Sequence, residues 1–323
     1  MPELPDITVY TEVLRPRVVG ATLARLIIRS PFLLRTIDPP PEAVEGRAVI
    51  AVSRLGKRIV LHAEGGLFLV LHLMIAGRLL WKPPGARPAS KIDLAALAFE
   101  RAGARDGTLP PGTLVLTEAS TKKRAGLWLV RGEAALAAMN PGGLDVLGCS
   151  EGEFAAALRR ENRTLKRALT SPRTFDGIGN AYSDEILHAA RLSPVALTGR
   201  LDDGGCAALH AAARRVLLKW TDELRGRFGL GRVVGGGTDN TGRFPRPGEI
   251  TAFRPGFAVH GRYREPCPVC GAPVQRIVYA EHETNYCPVC QNGGRLLADR
   301  SLSWLLRDDW PRTIEEWEGA SEV

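Results

Sequence analysis

Four cysteines near the C-terminus, Cys267-Pro-Val-Cys270 and Cys287-Pro-Val-Cys290, form two C-x₂-C pairs separated by sixteen residues. Thiolates two residues apart can grip one side of a tetrahedral ion, and a second such pair completes a four-sulfur shell. The segment between them has the length and β-prone ends of a hairpin. The alternatives are two disulfides or four reduced core thiols. No signal peptide precedes the chain, so the expected compartment is reducing and disulfides are disfavoured there. A Cys₄ shell leaves no coordination position open, so the ion is expected to be one structural Zn²⁺, with the chemistry elsewhere.

The opposite end reads Met1-Pro2-Glu3-Leu4-Pro5-Asp6. Removal of the initiator methionine, which a small second residue favours, would expose a prolyl secondary amine. A terminal amine titrates near 8 against about 10.4 for lysine, so its neutral fraction at pH 7 is roughly two orders of magnitude larger. Attack of a secondary amine on a sugar C1′ yields an iminium whose positive charge is an electron sink for β-elimination. Glu3 stands next to it as a proton donor or shuttle. A proline at position 2 is, taken alone, weak evidence, since proline is common.

A third motif is Asp176-Gly-Ile-Gly-Asn180, followed by a helical pattern. Closely spaced glycines permit a tight turn, and the N–H groups opening a helix suit a phosphate. The plainer reading is a helical corner capped by Asn180. The basic run Arg159–Arg167 suits a flanking backbone track or a solvated helix face.

These groups must be positioned by a chain of 323 residues and 35.0 kDa, with 45% apolar residues, enough for two cored domains. A formal charge of +8 and a pI near 9.4 point to a polyanionic partner, nucleic acid before membrane surface. No run of eighteen or more uncharged apolar residues occurs, so no membrane span is expected. Segments 21–29, 58–62, 67–73 and 112–117 read as strands after a first helix over 6–17, which suggests a sandwich or barrel. Residues 140–148 have linker chemistry. Ser150-x-x-Glu153 fits a capping box opening a helix to about 161, with further helices at 163–170, 180–191 and 202–227. Gly229–Gly248 is rich in Gly, Pro, Asn and Thr and reads as a mobile loop. The terminal stretch with Trp304, Leu305, Leu306 and Trp310 reads as a packed helix, and Cys149 and Cys206 as buried small side chains.

In register along residues 1 to about 291, the Met-Pro-Glu-Leu-Pro start, Arg54-Leu-Gly-Lys57, His72-Leu-Met-Ile-Ala-Gly77, the Gly-Ile-Gly-Asn turn, Val259–Cys267 and the paired cysteines ending in Gln291 resemble one family. It is the formamidopyrimidine-DNA glycosylase and endonuclease VIII family of base-excision repair enzymes. The resemblance implies an α+β multidomain fold. An N-terminal antiparallel β-sandwich with flanking helices (1–140) and a linker (141–149) lead to a helix–two-turns–helix DNA-binding domain (150–250). A Cys₄ zinc hairpin (251–291) and a C-terminal extension (292–323) follow. It also implies a bifunctional DNA glycosylase and abasic-site lyase that excises damaged, oxidised bases from extruded nucleotides. Pro2 would be the Schiff-base nucleophile, Glu3 the proton donor and Lys57 the lysine at the lesion phosphate. His72 and Asn180 would contact phosphate, and the Gly-rich 229–248 stretch would cover the flipped base. Damaged DNA is the implied partner of a cytoplasmic, nucleoid-associated bacterial monomer that needs neither membrane nor nucleotide cofactor.

The departures from the family pattern lie where DNA would be gripped. His282, between Glu281 and Glu283, stands where an arginine is usual, and lacks its permanent charge and fork, which puts δ-elimination in question. The void-filling methionine corresponds to Ile75, or to Met74 if the register slips. The Arg-Arg-Phe wedge corresponds to Lys122, Lys123, Arg124 and Ala125, so the aromatic intercalator is lost and lesion specificity does not transfer. Asp6 replaces a glutamate. A rival expectation is a damage-binding zinc protein on the same scaffold with weak or no catalysis.

Overall fold

A computed structural model describes residues 1–103, 108–234, 237–239, 241–279, 282–297, 311–314 and 316, in two compact units. One comprises Met1–Pro141 and Leu218–Ala252, the other Gly142–Leu217 and Phe253–Val323. The first begins with helix α1 (Leu4–Val18) and continues through strands β1 (Thr22–Ile28), β2 (Arg47–Leu55), β3 (Arg58–Ala63), β4 (Leu67–His72), β5 (Gly77–Lys82), β6 (Asp93–Glu100), β7 (Thr113–Glu118) and β8 (Gly126–Arg131), then helix α2 (Glu133–Ala138). The second holds α3 (Glu151–Arg159), α4 (Leu165–Thr170) and α5 (Asn180–Ala189). Helix α6 (Asp203–Phe228) leads back to the first unit, where β9 (Arg232–Val234) and β10 (Gly237–Asp239) pair. The zinc-spaced cysteines bracket β11 (Gln275–Tyr279), β12 (His282–Tyr286) and α7 (Pro288–Asn292).

Strands β1–β8 form one antiparallel sheet in the order β5-β7-β6-β1-β2-β3-β4-β8. The β1–β2 seam is short, Thr22↔Ala48 and Leu23↔Arg47, and the strands on its two sides share one core. Leu97, Leu114 and Leu116 from one half meet Ile59, Leu61, Leu69, Leu71, Leu127 and Leu129 from the other in that cluster. The expected sandwich is therefore present, as two halves of a continuous antiparallel sheet.

Helix α1 contributes Ile7, Tyr10, Val13 and Leu14, all fully buried. Burying each such side chain contributes about 1.5–3 kcal/mol. The i, i+3, i+6, i+7 spacing explains why a helix lies here despite Pro16 near its end. The Leu79 amide donates to the Tyr10 hydroxyl at 3.4 Å, tying β5 to α1. On the outer side of β3 and β4, Val60, Phe68 and Val70 pack with Trp128, Leu136 and Met139, so both faces of these strands are covered. This explains why β3 and β4 read as continuous apolar runs rather than alternating ones.

Ser150 caps α3 as its spacing predicts. Its hydroxyl accepts from the Glu153 amide at 3.3 Å, and the Glu153 carboxylate accepts from the Ser150 amide at 2.8 Å. The Gly-rich segment departs from its expected character. Residues 235, 236 and 240 lie outside the described residues; of the rest, Leu230 belongs to the core and Phe244 packs against it beside Tyr10 and Trp81, with Ile250 in the core just beyond. Arg243 grips Glu249 through two bonds, 2.6 and 2.7 Å. These apolar anchors, spaced widely among turn residues, hold the described parts of the segment to the first unit. The terminal helix expected around Trp304 and Trp310 lies outside the described residues.

Candidate active site

The chain start is fixed by a reciprocal turn. Glu3 is the N-cap of α1, and its backbone N–H donates to the Asp6 carboxylate at 2.9 Å. Asp6 occupies the third helical position, where a short carboxylate reaches back to the cap. Pro2, Glu3 and Asp6 are buried, with Glu3 only 2% exposed. The terminal amino group, carried here by Met1, is pushed below its ordinary value first by burial. Glu3 opposes that shift, Arg78 reinforces it, and Asp6 and Lys57 act as weaker opposing and reinforcing charges. The fold thus gathers two carboxylates and two cations around the start of the chain, Lys57 among them.

Lys57 gets there by strand pairing. Strands β2 and β3 are joined by a two-residue loop, Gly56-Lys57, with Leu55 opposite Arg58. Gly56 has φ 64°, the left-handed value that tight hairpin loops require at this position. Arg58 pairs with His72, and His72 with Gly126, across three adjacent strands. Consequently the tip bearing Lys57, the loop after His72 and the loop before Gly126 all emerge at one end of the sheet. Burial, then Arg58 and Lys57, push the His72 imidazole down to about 4. At neutral pH it can hydrogen-bond a phosphate but brings no charge.

After His72 the chain turns within four residues, Gly77 N–H donating to the Leu73 carbonyl at 2.8 Å. Met74 adopts φ 51°. A side chain at position 77 would collide with the Leu73 carbonyl, so only glycine fits. Ile75 stands 51% exposed on this turn. The Arg78 guanidinium clamps the turn, donating to the carbonyls of Gly77 at 2.7 Å, Ile75 at 3.2 Å and Pro247 at 3.3 Å.

The loop before β8 is organised by Glu118, which is 1% exposed. Its carboxylate accepts from the amides of Arg124 (2.9 and 3.0 Å) and Ala125 (3.1 Å) and from the Ser120 hydroxyl (3.2 Å). The Lys123 ammonium donates to the Glu118 carbonyl, so in this arrangement it staples its own loop. Lys122 is exposed and Arg124 half-buried, while Ala125, at the position of the missing aromatic, is 2% exposed within the core.

The second unit builds a different kind of site. In the Gly-Ile-Gly-Asn turn Gly177 takes φ 78° and Gly179 is the N-cap of α5. Asn180 is the first helical residue rather than the cap, which corrects the capping alternative. Its carbonyl accepts from the Lys166 ammonium at 2.7 Å, and Lys166 pairs with Asp184 at 2.5 Å. Asp184 also accepts from His260 Nδ1 at 2.7 Å and from the Asn285 amide at 3.5 Å. Glu185 accepts three consecutive backbone N–H groups, from Ala258, Val259 and His260, at 2.7–2.9 Å. One short helix thereby clasps the lead-in to the first cysteine pair and strand β12. His282 opens β12 opposite Tyr279, and its side chain lies outside the described residues, as does Glu281. Glu283 is paired with Arg276 at 3.6 Å, which offsets the repulsion its charge would offer a phosphate.

The four thiol sulfurs lie within 4.8 Å of one another. Cys270–Cys287 and Cys267–Cys290 are 3.3 and 4.0 Å apart, well beyond bonding distance for a disulfide. Zn–S bonds of about 2.3 Å require edges of about 3.8 Å in a tetrahedron, so the donor set fits the ion. Burial pushes Cys287 up and Cys290 up to about 11, so a cation is needed to hold these groups as thiolates. The cluster is a structural zinc site. Gln291 braces it, accepting from the Cys287 amide at 2.8 Å and donating to the Leu192 carbonyl at 2.9 Å.

Sequence reasoning did not single out Arg78, Glu118, Lys166, Asp184, Glu185 or His188. Arg78 directly follows the quoted Gly77 motif, and an acidic residue in the first turns of α5 could have signalled a buried partner for a lysine. Glu118 carries no local signal, because its role comes from where the chain returns six and seven residues later.

Residues 1–108 match the family described as the formamidopyrimidine-DNA glycosylase N-terminal domain, 148–223 its H2TH domain, and 264–293 the zinc finger found in FPG and IleRS. The formamidopyrimidine-DNA glycosylase of Thermus thermophilus is 32% identical over 303 residues, which cover 91% of this chain and all of that one. The crystal structure of the MutM (Fpg) protein from the same organism superposes with a TM-score of 0.69 at 30% identity, covering 90% of this chain and 98% of that one. A complex of Lactococcus lactis Fpg with DNA containing an abasic site shares the fold at a TM-score of 0.71 and 24% identity, covering 90% and 99% of the two chains. With the terminal, helical and cysteine motifs all matched in order along one chain, this protein belongs to the formamidopyrimidine-DNA glycosylase family.

Proposed function

We propose that the protein is a DNA glycosylase and abasic-site lyase that removes damaged bases through a covalent intermediate at Pro2. The observation that carries this reading is the burial of the chain start among Glu3, Asp6, Lys57 and Arg78. After loss of Met1, the Pro2 nitrogen attacks C1′ of the lesion nucleotide. The glycosidic bond breaks, its electron pair leaves with the base, and Glu3 supplies a proton as the sugar ring opens. The resulting iminium acidifies C2′–H. Loss of that proton expels the 3′ phosphate oxygen, and hydrolysis of the iminium then releases the enzyme. Lys57 is positioned for the lesion phosphate. His72, Ile75, Lys123, Arg124, Asn180 and His282 are assigned to DNA contacts, His72 by neutral hydrogen bonding and Asn180 at a helix start whose N–H groups favour an anion. The substrate class is oxidised bases in DNA, and the setting is bacterial cytoplasm.

Borohydride reduction on an abasic duplex tests the assignment. The protein with Pro2 exposed is expected to give a covalent adduct that Pro2→Gly loses. Absence of an adduct, or undiminished trapping by that variant, rules the mechanism out.

One observation favours a second reading, a damage sensor with little catalysis. The Ala125 methyl is buried in the core, so this residue offers no wedge to hold a lesion extruded. Tight binding to an abasic duplex without strand scission would establish it, and scission at enzymatic rates would exclude it.

A further inference from the structure

The zinc shell has a neighbour that family motifs do not mark. His188, 5% exposed in the last turn of α5, lies with Nε2 3.3 Å from the sulfur of Cys267, itself 3% exposed. A metal-bound thiolate has no proton to give. The hydrogen in this contact must therefore reside on the imidazole, which fixes the Nε2–H tautomer. Four thiolates on one divalent ion carry a net charge of −2, and buried N–H donors spread that excess charge. The Cys290 amide makes one such contact, to the Cys287 sulfur at 3.4 Å. Cys267 receives its donor from a side chain on another element.

The placement of His188 along α5 gives it reach. Asp184 and Glu185 hold residues 258–260 and Asn285, His188 touches Cys267, and the Leu192 carbonyl accepts from Gln291. Asp184 and His188 are four residues apart and share one face of α5, and Leu192 follows just past its end. The opposite end of the same helix starts at Asn180.

We infer that His188 is a positioning residue of the zinc centre, donating Nε2–H to the Cys267 thiolate and so anchoring the metal to the helix that begins at Asn180. The contact lowers electron density on that sulfur and fixes its direction, which slows dissociation of the first cysteine pair. This assignment does not depend on the catalytic reading, because its test involves no DNA.

The test uses the full-length zinc protein and two variants. His188→Leu fills the space without a donor, and His188→Gln restores an N–H. Zinc transfer to a chromogenic chelator is expected to accelerate about 10–100-fold in His188→Leu, with most of the loss recovered in His188→Gln. Equal, wild-type rates in all three proteins would overturn the inference, as would equal acceleration in both variants, which would show a packing role only. If His188→Leu does not fold, the wild-type protein decides the matter after exchange of zinc for ¹¹³Cd. A scalar coupling between the imidazole Nε2 proton and the metal, transmitted through sulfur, is expected, and its absence overturns the assignment.

Discussion

Replacing Asp184 by Asn removes one charge from a buried ion pair of the second unit. Lys166 and Asp184 meet at 2.5 Å with side-chain exposures of 11% and 0%. At that separation and an effective dielectric of about 20, their attraction is roughly 6–7 kcal/mol, against a desolvation cost of several kcal/mol for each ion. The intact pair therefore contributes little net stability, whereas breaking it strands a buried ammonium at a cost of about 3–5 kcal/mol. Asp184→Asn keeps an acceptor for His260 and Asn285, and Lys166 keeps the Asn180 carbonyl, so about 3 kcal/mol is expected. For a unit of this size that lowers the melting temperature by roughly 10 °C, read by calorimetry on zinc-loaded protein at pH 7. Adding Lys166→Met removes the stranded charge. The double variant should recover enough to show a coupling of about 2 kcal/mol. Additivity of the two substitutions within about 0.5 kcal/mol would refute the reasoning, because the two groups would then not act as an energetic unit.

Four further outcomes are expected. Burial at the chain start lowers the Met1 amino group, so the pH profile of covalent trapping at Pro2 should have its midpoint below that of an unstructured prolyl peptide measured alongside. An equal or higher midpoint contradicts the electrostatic account. His72 is depressed to about 4, so the unfolded chain binds more protons between that value and 6.5. Stability from this group is complete above pH 6.5 and declines as pH falls toward 4, and a ring titration by NMR with a midpoint near 6.5 would exclude the effect. Glu3→Gln should slow single-turnover base release by about 10²–10⁴-fold, as loss of a positioned proton donor does. Gly77→Ala should cost at least about 2 kcal/mol in urea unfolding, since the Leu73 carbonyl must move; a change under 0.5 kcal/mol would show that the turn is not constrained.

The parts of the fold legible in the sequence are those dictated by local chemistry. Ser150 and Glu153 sit three residues apart and satisfy each other's backbone, so the start of α3 could be placed to the residue. The cysteine spacing gave the zinc site because its ligands are near in sequence. Strands β2, β5, β6 and β8 escaped notice because their burial alternates incompletely or their residues, such as Ala95 and Ala96, are weak strand formers. Nothing in the linear order signals that Leu218–Ala252 packs with the N-terminal residues, since the return depends on scattered anchors such as Leu230, Phe244 and Ile250. At the candidate site, motif order placed Lys57 and His72 at positions the sheet brings to one end. It could not show that Lys123 turns onto Glu118, or that Ala125 is sealed in the core.

The pairing of Arg58 with His72, and of His72 with Gly126, makes three connections leave from a shared rim whose spacing the backbone ladder fixes. In such an arrangement the proposed DNA contacts ride on connections, and the strand ladder sets where each connection begins. Exchanging residues 119–125 is accordingly a direct way to ask whether that rim bears the proposed DNA contacts, because the ladder beneath it is left in place.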